Sequence, residues 1–347
     1  MNQLIECVPN FSEGCDMRII EQIANEIKTV KNVKLLNIDP GKATNRTVIT
    51  FVGHPQAVID AAFLAIKKAS ELLDMSQQKG EHPRIGATDV CPLIPISGIS
   101  MEETTEYAKK LGQRVGRELN IPVFLYEKSQ INKERSNLAA IRAGEYEGMF
   151  AKIKLPQWSP DYGPSENSVK SGATVIGARD FLIAYNINLN TTSTQIANAI
   201  AADVRESGHV KRENNSVTGK IIRDKNGKPV QVHGSLKSVK AIGWYIAEYG
   251  VAQVSMNLTN MHITPMHIAY DEVCKKAIEY GTNVTGSELI GLIPLHAMTD
   301  AGKYFLAKQG KAIHVSDKEL IQIAVKSLGL NELSSFKPEE RIIEYLI

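Results

Sequence analysis

FLIAYNINLNTTSTQIANAIAADV, residues 181–204, contains the two periodicities that indicate how this chain folds. Over residues 181–189 every second side chain is apolar, which is the pattern of a strand that buries one face. After a polar break at residues 190–194, the apolar residues Ile196, Ile200 and Val204 recur every fourth position. This spacing is typical of an amphipathic helix, so the stretch predicts a strand that leads into a helix.

The elements predicted after this stretch complete a pattern of six. Two strands are expected at residues 239–246 and 251–258, followed by a helix at about residues 265–280 and a strand at residues 290–293. The second half of the chain therefore has the order strand, helix, strand, strand, helix, strand.

The first half of the chain shows the same order. Its predicted elements are residues 4–9, 19–30, 33–38, 47–52, 55–73 and 90–96. A further helix begins near Ser100, where Ser100 and Glu103 have the spacing of a capping box, and a strand is expected at residues 123–126. Two βαββαβ halves predict an α+β fold (an α/β sandwich) of two duplicated ferredoxin-like subdomains, with a ligand groove or tunnel between them.

Two stretches interrupt this regular pattern. Residues 154–172 are rich in Pro, Ser, Asn and Gly and predict a long irregular connection. Residues 209–233 predict an exposed basic hairpin with a turn at Asn226 and Gly227. The positive charge of this hairpin is either a solvated face or a contact for an anionic ligand or partner.

Composition argues against several classes of protein. The 40 Lys and Arg against 38 Asp and Glu give a net charge of +2, too small an excess for a typical nucleic-acid-binding protein. The sequence contains no run of about 18 apolar residues, the length that a membrane-spanning helix requires. The four scattered cysteines predict reduced thiols in a soluble cytoplasmic protein, and neither a disulfide framework nor a zinc site.

GEHPRIG, residues 80–86, carries the clearest candidate for catalysis. Pro83 disfavours helix at His82 and holds it extended, and the flanking glycines allow the backbone to approach a ligand closely. Because the imidazole titrates nearest to neutral pH, His82 suits proton transfer. The alternative is a histidine that hydrogen-bonds a turn. The other histidines lack the spacing of metal ligands, so no metal site is expected.

Polar residues elsewhere form weaker candidates. Asp39 precedes Pro40 and Gly41, so it is either a carboxylate held over a cleft or an ordinary turn residue. Residues 163–174 lack the spacing of a phosphate-binding loop and favour a flexible loop that wraps a flat ligand.

Two predicted strands also carry amides and hydroxyls on the face opposite their apolar stripe. These residues are Asn186, Asn188, Gln253, Ser255 and Asn257. They are either plain solvent-facing surface or the lining of a polar groove.

Eight motifs spread over nearly the whole chain share their pattern with one known family. They are ECVPNFSEG at residues 6–14, TNRT at 44–47, KGEHPR at 79–84, DVCP at 89–92, IRAGEYE at 141–147, GAR at 177–179, NINL at 186–189 and IGWY at 242–245. In this order they resemble glutamate formimidoyltransferase.

The resemblance implies a transferase of one-carbon groups. Such an enzyme moves the formimino group of N-formimino-L-glutamate, a product of histidine breakdown, to N5 of tetrahydrofolate and releases glutamate. Tetrahydrofolate is then a co-substrate, and no metal, nucleic acid or membrane is implied. The family forms homodimers, and its mammalian domain is fused to a cyclodeaminase, so a separate cyclodeaminase is a candidate partner.

The resemblance also implies roles for particular segments. Subdomains are expected at residues 1–180 and 181–330, and residues 331–347 resemble the linker-like tail that leads into the cyclodeaminase. His82 matches the catalytic histidine and is expected to carry protons between the two nitrogens, with Asp39 orienting it or balancing its charge.

Two segments match the folate-binding segments of the family. Their residues are Gly163, Pro164, Ser165, Glu166, Asn167, Ser168, Val169, Lys170, Ser171 and Gly172, and Gly234, Ser235, Leu236, Lys237, Ser238, Val239, Lys240, Ala241 and Ile242. Because both substrates carry carboxylates, Arg46, Arg84 and Arg179 are candidates to bind them, together with Lys237. Three alternatives stay open: formyl transfer from N-formylglutamate, action on 5-formyltetrahydrofolate, and a non-catalytic folate-binding partner of a cyclodeaminase.

Overall fold

The structure, a computed structural model, describes residues 3–213, 219–311 and 313–346. It divides into two compact units, one that ends at Asp180 and one that begins at Phe181. Across these residues, none of the helices is both long enough and apolar enough to cross a membrane.

The first unit contains a seven-stranded sheet and helices. Its strands are β1 (Leu4–Cys7), β2 (Asn10–Phe11), β3 (Val33–Gly41), β4 (Arg46–Gly53), β5 (Thr88–Ser97), β6 (Val123–Leu125) and β7 (Thr174–Ala178). Its helices are α1 (Met17–Lys28), α2 (Pro55–Leu72), α3 (Met101–Glu118), α4 (Leu138–Arg142) and α5 (Glu145–Lys152). Glu127–Ser129 and Pro156–Trp158 are short 3₁₀ turns.

Strand pairing confirms the ferredoxin-like order in this unit. Strands β1 and β2 both pair with β4 on one side and β5 on the other, so they act as one strand interrupted at Val8 and Pro9. The sheet order is then β3, β4, β1 with β2, and β5, which is the order of a split βαβ unit. Strands β7 and β6 extend the sheet beyond β5 in parallel.

Helices cover both faces of the sheet around β5 and β7. Because neighbouring strand residues point to opposite faces, Cys91 and Ile176 join the core under α1, α2 and α3, whereas Val90 and Val175 join a second core. That second core includes Ile141 from α4 and residues of α5. This packing holds the short helix α4, which ends at Arg142, against the sheet.

The second unit contains the same ferredoxin-like order in a four-stranded sheet and has a separate two-stranded sheet of β9 and β10. The strands of this unit are β8 (Ile183–Leu189), β9 (His209–Val210), β10 (Gln231–Val232), β11 (Val239–Ile246), β12 (Val251–Leu258) and β13 (Val284–Ile290). Its helices are α6 (Thr194–Val204), α7 (Met266–Glu279), α8 (Leu295–Lys308), α9 (Asp317–Leu328), α10 (Pro338–Arg341) and α11 (Ile343–Leu346). The sheet order is β11, β12, β8, β13, and all pairs are antiparallel.

Most predicted elements have the expected positions, and the predicted capping box is present at α3. Ser100 Oγ accepts from Glu103 N at 3.1 Å, and Glu103 Oε2 accepts from Ser100 N at 2.8 Å.

The last predicted strand was wrong, because β13 occupies Val284–Ile290 and not residues 290–293. Its middle residue Ser287 is polar, which hides the apolar alternation. Ser287 is nevertheless buried. Its hydroxyl is satisfied there, because it accepts from Tyr185 Oη at 2.9 Å and donates to the Leu328 carbonyl at 2.6 Å.

The structure describes most of the predicted basic hairpin and of the predicted linker-like tail. The hairpin at residues 209–233 pairs β9 with β10 and turns at Gly227, while its residues 214–218 lie outside the described residues. The expected linker-like tail is packed on the second unit up to residue 346. Ile342 and Ile343 are buried there, and Ile293 N donates to the Arg341 carbonyl at 2.9 Å.

Candidate functional site

The loop that carries His82 is tied to the turn between β3 and β4. Strand β3 continues through Asp39 to Gly41, beyond the predicted end at residue 38, so the connection to β4 is a tight turn at residues 42–45. Asn45 Nδ2 donates to the Lys79 carbonyl at 2.8 Å, and Glu81 N donates to the Ala43 carbonyl at 3.3 Å. The two loops therefore form one support for His82.

Gly80 and Gly86 are required for contacts between backbones. A Cβ at Gly80 would lie 2.3 Å from the Thr44 oxygen, and a Cβ at Gly86 would lie 2.0 Å from the Ala173 oxygen. Close approach to a ligand was the expected reason for these glycines, but the chain itself occupies the space.

His82 is half-buried, and its ring is oriented by its neighbour. Its Nδ1 lies 2.7 Å from the Pro83 carbonyl oxygen. Because a carbonyl only accepts, Nδ1 carries the proton in this contact, and Nε2 of the neutral ring keeps its lone pair. His82 is therefore in the tautomer that a general base at Nε2 needs.

A buried carboxylate with two guanidinium groups influences this histidine. Asp89 is fully buried and accepts from Arg46 at 2.5 Å and from Arg142 Nε at 3.2 Å, with a second, shorter contact to Arg142. Arg46 also donates to Asn10 Oδ1 at 3.0 Å. Two cations on one carboxylate leave a net positive charge in the cluster of Arg46, Asp89 and Arg142.

The charges of this cluster shift the pKa values in opposite directions. Burial, with the positive charges of Arg46 and Arg142, holds the pKa of His82 well below its usual range. Burial raises the pKa of Asp89, but the two guanidinium groups outweigh it and lower that pKa to about 2. Burial also lowers the pKa of Arg46 to about 10. At neutral pH, His82 is thus uncharged beside an ionised Asp89.

Arg84, an expected substrate-binding cation, has internal partners. Its guanidinium lies 3.0 Å from Glu145 and 2.8 Å from Glu147, and it donates to Gln78 Oε1 at 2.9 Å. The Arg84 side chain is only 9% exposed. It therefore connects the His82 loop to the start of α5.

Asp39 and Arg179, the other two predicted site residues of the first unit, lie on or next to different strands. Asp39 is half-buried on β3, opposite Val48. Arg179 follows β7, and its charge acts on the buried carboxyl of Glu6 on β1. Burial raises the pKa of Glu6 to about 7, while Arg179 lowers it in part.

The first predicted folate-binding segment lies directly against the His82 loop. Ala87 N donates to the Ser171 carbonyl at 2.8 Å, and Ala173 N donates to the Ile85 carbonyl at 3.0 Å. Gly172 has a φ of +66°, and a Cβ there would lie 2.3 Å from the Ile85 oxygen. Both polar atoms of the Asn167 side chain are buried without a hydrogen-bond partner among the described residues.

The second predicted folate-binding segment enters β11 in the second unit. Ser238 has a φ of +54°, and its backbone N–H donates to Glu206 Oε2 at 2.7 Å. Val239 and Ala241 point into the core, whereas Lys240 and Ile242 are exposed. The exposed face of this edge strand is the part that a ligand can reach.

Polar side chains also form a network on the sheet of the second unit. Gln253 Nε2 donates to Asn188 Oδ1 at 2.8 Å, and Asn186 Nδ2 donates to Glu288 Oε2 at 3.2 Å. Asn186, Asn188 and Gln253 are buried, whereas Ser255 is half-buried and Asn257 is exposed, so only part of this face is solvent-facing surface.

A cavity of about 470 Å³ lies elsewhere in the second unit. It is lined by residues between Met261 and Ile313, including His262, His267 and His296. No predicted site residue lines it. Within the described residues, no group of three or more His, Cys, Asp or Glu side chains is arranged to hold a metal ion.

Sequence reasoning missed Asp89, Arg142, Asn10 and Glu6 as parts of the site. Each lies inside a motif that carries the family resemblance, at residues 6–14, 89–92 and 141–147. A charged residue within such a motif was the feature of the sequence that could have indicated them. The sequence does not show which of these residues meet, because the contacts join positions 36 to 53 residues apart.

Family models match both units of the chain. The family model of the formiminotransferase domain, N-terminal subdomain, matches residues 4–179, and that of the formiminotransferase domain matches residues 184–347. Formimidoyltransferase-cyclodeaminase from Gallus gallus is 46% identical over 347 residues, which are 100% of this chain and 60% of that protein.

Two shorter relatives match over nearly their whole length. Glutamate formimidoyltransferase from Thermoplasma acidophilum is 42% identical over 88% of this chain and 93% of that protein. Glutamate formimidoyltransferase from Streptococcus pyogenes is 40% identical over 88% of this chain and 94% of that protein. The chain spans about 60% of the length of the cyclodeaminase-containing relatives. With both subdomain models matched in order along its two units, this chain belongs to the formiminotransferase family.

Proposed function

We propose that this protein transfers the formimino group of N-formimino-L-glutamate to N5 of tetrahydrofolate, with His82 as the proton shuttle. The names of the two shorter relatives support the reaction class. The observation that carries the proposal is the state of His82, which is neutral and whose Nδ1 donates to the Pro83 carbonyl.

The proposed reaction needs two proton transfers and no oxidant. The N5 lone pair forms a bond to the formimino carbon, and the N5 proton passes to Nε2 of His82. His82 then returns a proton to the glutamate nitrogen as the bond between that nitrogen and the formimino carbon breaks. One histidine that serves as base and then as acid contributes about 10²- to 10⁴-fold to the rate, while holding two substrates together contributes more.

The cluster of Arg46, Asp89 and Arg142 supports a role in binding anions. Its net positive charge is buried beside His82, where a substrate carboxylate would gain charge-assisted hydrogen bonds. Arg179 is a second candidate, since its charge acts on Glu6, whose pKa burial raises to about 7, so that its neighbour is less fully ionised than an ordinary carboxylate. Asp39 keeps its proposed role of balancing the charge of the protonated His82 intermediate. A homodimer, and a separate cyclodeaminase as partner, belong to the same proposal.

The test measures turnover with tetrahydrofolate and N-formimino-L-glutamate, with acid conversion of the product to the absorbing methenyl form. We expect the variant His82→Ala to lose about 10²- to 10⁴-fold in turnover. His54→Ala is the matched control, because His54 is exposed before α2 and should leave turnover unchanged.

Two results would contradict parts of the proposal. Near-normal turnover of His82→Ala would remove the proton shuttle. Activity with N-formyl-L-glutamate alone would replace the formimino donor by a formyl donor at the same site.

A further inference from the structure

Arg84 connects the His82 loop to the turn between β3 and β4. Its Nε donates to Gln78 Oε1 at 2.9 Å, and its Nη2 donates to the Gln78 carbonyl at 3.2 Å. Gln78 Nε2 donates in turn to the carbonyl of Asn45, the last residue of that turn, at 3.0 Å. The next residue is Arg46, which belongs to the charged cluster beside His82, so Arg84 contributes to the placement of both.

Arg84 also holds the start of helix α5. Its Nη1 lies 3.0 Å from Glu145 and 2.9 Å from Glu147, and its Nη2 lies 2.8 Å from Glu147. The planar donor fork of arginine matches a carboxylate in this bidentate way. The backbone there has positive φ angles, +91° at Gly144 and +53° at Glu145, and the second is uncommon for a residue with a side chain. The contacts of Arg84 therefore stabilise a turn of unusual conformation.

Helix α5 carries this constraint to two further groups. Tyr146 Oη donates at 2.6 Å to the carbonyl of Val169, in the first predicted folate-binding segment. Lys152 Nζ, in the last turn of α5, donates at 2.8 Å to the carbonyl of Ile141 in α4. Because α4 ends at Arg142, the position of α5 influences both the folate segment and the second cation of the charged cluster.

The exposure of the three charged groups distinguishes this contact from an ordinary surface ion pair. The Arg84 side chain is 9% exposed, whereas those of Glu145 and Glu147 are 44% and 66% exposed. The guanidinium thus lies inside, and the two carboxylates close over it from the solvent side. A bidentate pair with one buried member is held more firmly than the usual exposed pair.

We propose that Arg84 is a positioning residue for the transfer reaction, which holds the His82 loop, the turn at residues 42–45 and the start of α5 in one arrangement. This inference rests on the proposed function, since it assigns a residue to the proton shuttle of that reaction. A displacement of a reacting group by about 1 Å costs about 10²-fold in rate. Loss of the arrangement lowers kcat in proportion to the fraction of molecules that leave it.

The experiment measures kcat and both KM values, with whichever donor the normal protein uses. Arg84→Lys keeps the charge and loses the planar donor fork. We expect kcat to fall about 10- to 100-fold and the KM for tetrahydrofolate to rise, because the base and the folate segment are both displaced. Tyr146→Phe keeps the contacts of Arg84 and removes only the hydrogen bond to Val169. It should raise the KM for tetrahydrofolate about 3- to 10-fold and leave kcat nearly unchanged.

Two further variants separate positioning from stability. Glu147→Gln weakens the same contact from its exposed side and should lower kcat about 3- to 10-fold, so it decides the question if Arg84→Lys fails to fold. Arg114→Lys is the matched control, because Arg114 also has two carboxylate partners, Asp60 at 2.8 Å and Glu118 at 3.4 Å, on helices α2 and α3. It should leave kcat and both KM values unchanged. Urea denaturation gives the stability of each variant.

Each outcome bears on one of the two proposals. Normal kcat in folded Arg84→Lys or Glu147→Gln would overturn the positioning role, even where denaturation shows a loss of stability. An equal loss of kcat in Arg114→Lys would also overturn it, because the effect would then not be specific to the contacts of the His82 loop. Absence of turnover by the normal protein with both N-formimino-L-glutamate and N-formyl-L-glutamate would instead contradict the proposed function itself.

Discussion

Glu6 and Asp89 are buried carboxyl groups on two strands that pair with each other, β1 and β5. Their pKa values are nevertheless shifted in opposite directions from the ordinary values. Glu6 is 2% exposed, and burial raises its pKa to about 7. Asp89 is 0% exposed, and its pKa is about 2 because Arg142 and Arg46 overcome the effect of burial.

The difference lies in the immediate partners of each group. Asp89 accepts from two guanidinium groups and from Ile85 N at 3.0 Å. The charge of Arg179 acts on Glu6, and Glu6 Oε2 has no hydrogen-bond partner among the described residues. Burial thus favours the neutral form of a carboxyl group unless donors are brought to it, and at Asp89 these donors include the cations beside His82.

The largest effect is expected from Asp89→Asn. This change leaves Arg46 and Arg142 buried without a counter-charge, so we expect the free energy of unfolding to fall by about 3–5 kcal/mol. Urea denaturation at pH 7 measures it. Asp60→Asn is the control, because Asp60 is 41% exposed in its pair with Arg114 and should cost about 1 kcal/mol or less. Equal losses in the two variants would contradict the stabilisation that is assigned to the buried partners of Asp89.

A smaller and pH-dependent effect is expected from Glu6→Gln. The pKa of Glu6 is higher in the folded state than its ordinary value of 4.5, so the folded state holds the proton longer. The burial of Glu6 therefore decreases stability progressively as the pH rises from about 4.5 through 7. Glutamine cannot ionise, so the variant should be more stable than the normal protein at pH 8.5, by up to about 3 kcal/mol.

The same variant should match the normal protein closely at pH 4.5, where Glu6 is protonated. Denaturation curves at the two pH values measure the difference, with Glu279→Gln as an exposed control. A difference in the free energy of unfolding that stays constant across this pH range would mean that folding does not raise the pKa of Glu6.

The smallest effect concerns the pH profile of the reaction. Because burial, together with the positive charges of Arg46 and Arg142, holds the pKa of His82 below its ordinary value of 6.5, the acidic limb of kcat/KM should lie below pH 6.5. Arg142→Gln removes one of these charges and should move the limb upward, towards pH 6.5. A limb that stays in place in this variant would show that Arg142 does not influence the base.

Much of this organisation is already present in the sequence. Apolar alternation and helical spacing located β8, α6, β11 and β12 almost to the residue, because local periodicity reports which face of an element is buried. Ser287 shows the limit of this reasoning, since a polar residue that is satisfied inside the core breaks the pattern of β13. The motif around His82 likewise indicated a candidate base but not the residues that surround it.

The sequence by itself determined the order of the elements, the βαββαβ duplication and the identity of the candidate base. Only the tertiary structure decided which charges meet. Arg84 was expected to bind substrate, but the placement of α5 brings Glu145 and Glu147 to it. Strand pairing brings Arg46 to Asp89, and α4 adds Arg142 from 53 residues away. Periodicity carries no information on such pairs, because the electrostatic environment of a buried group is set by neighbours in space and not in sequence.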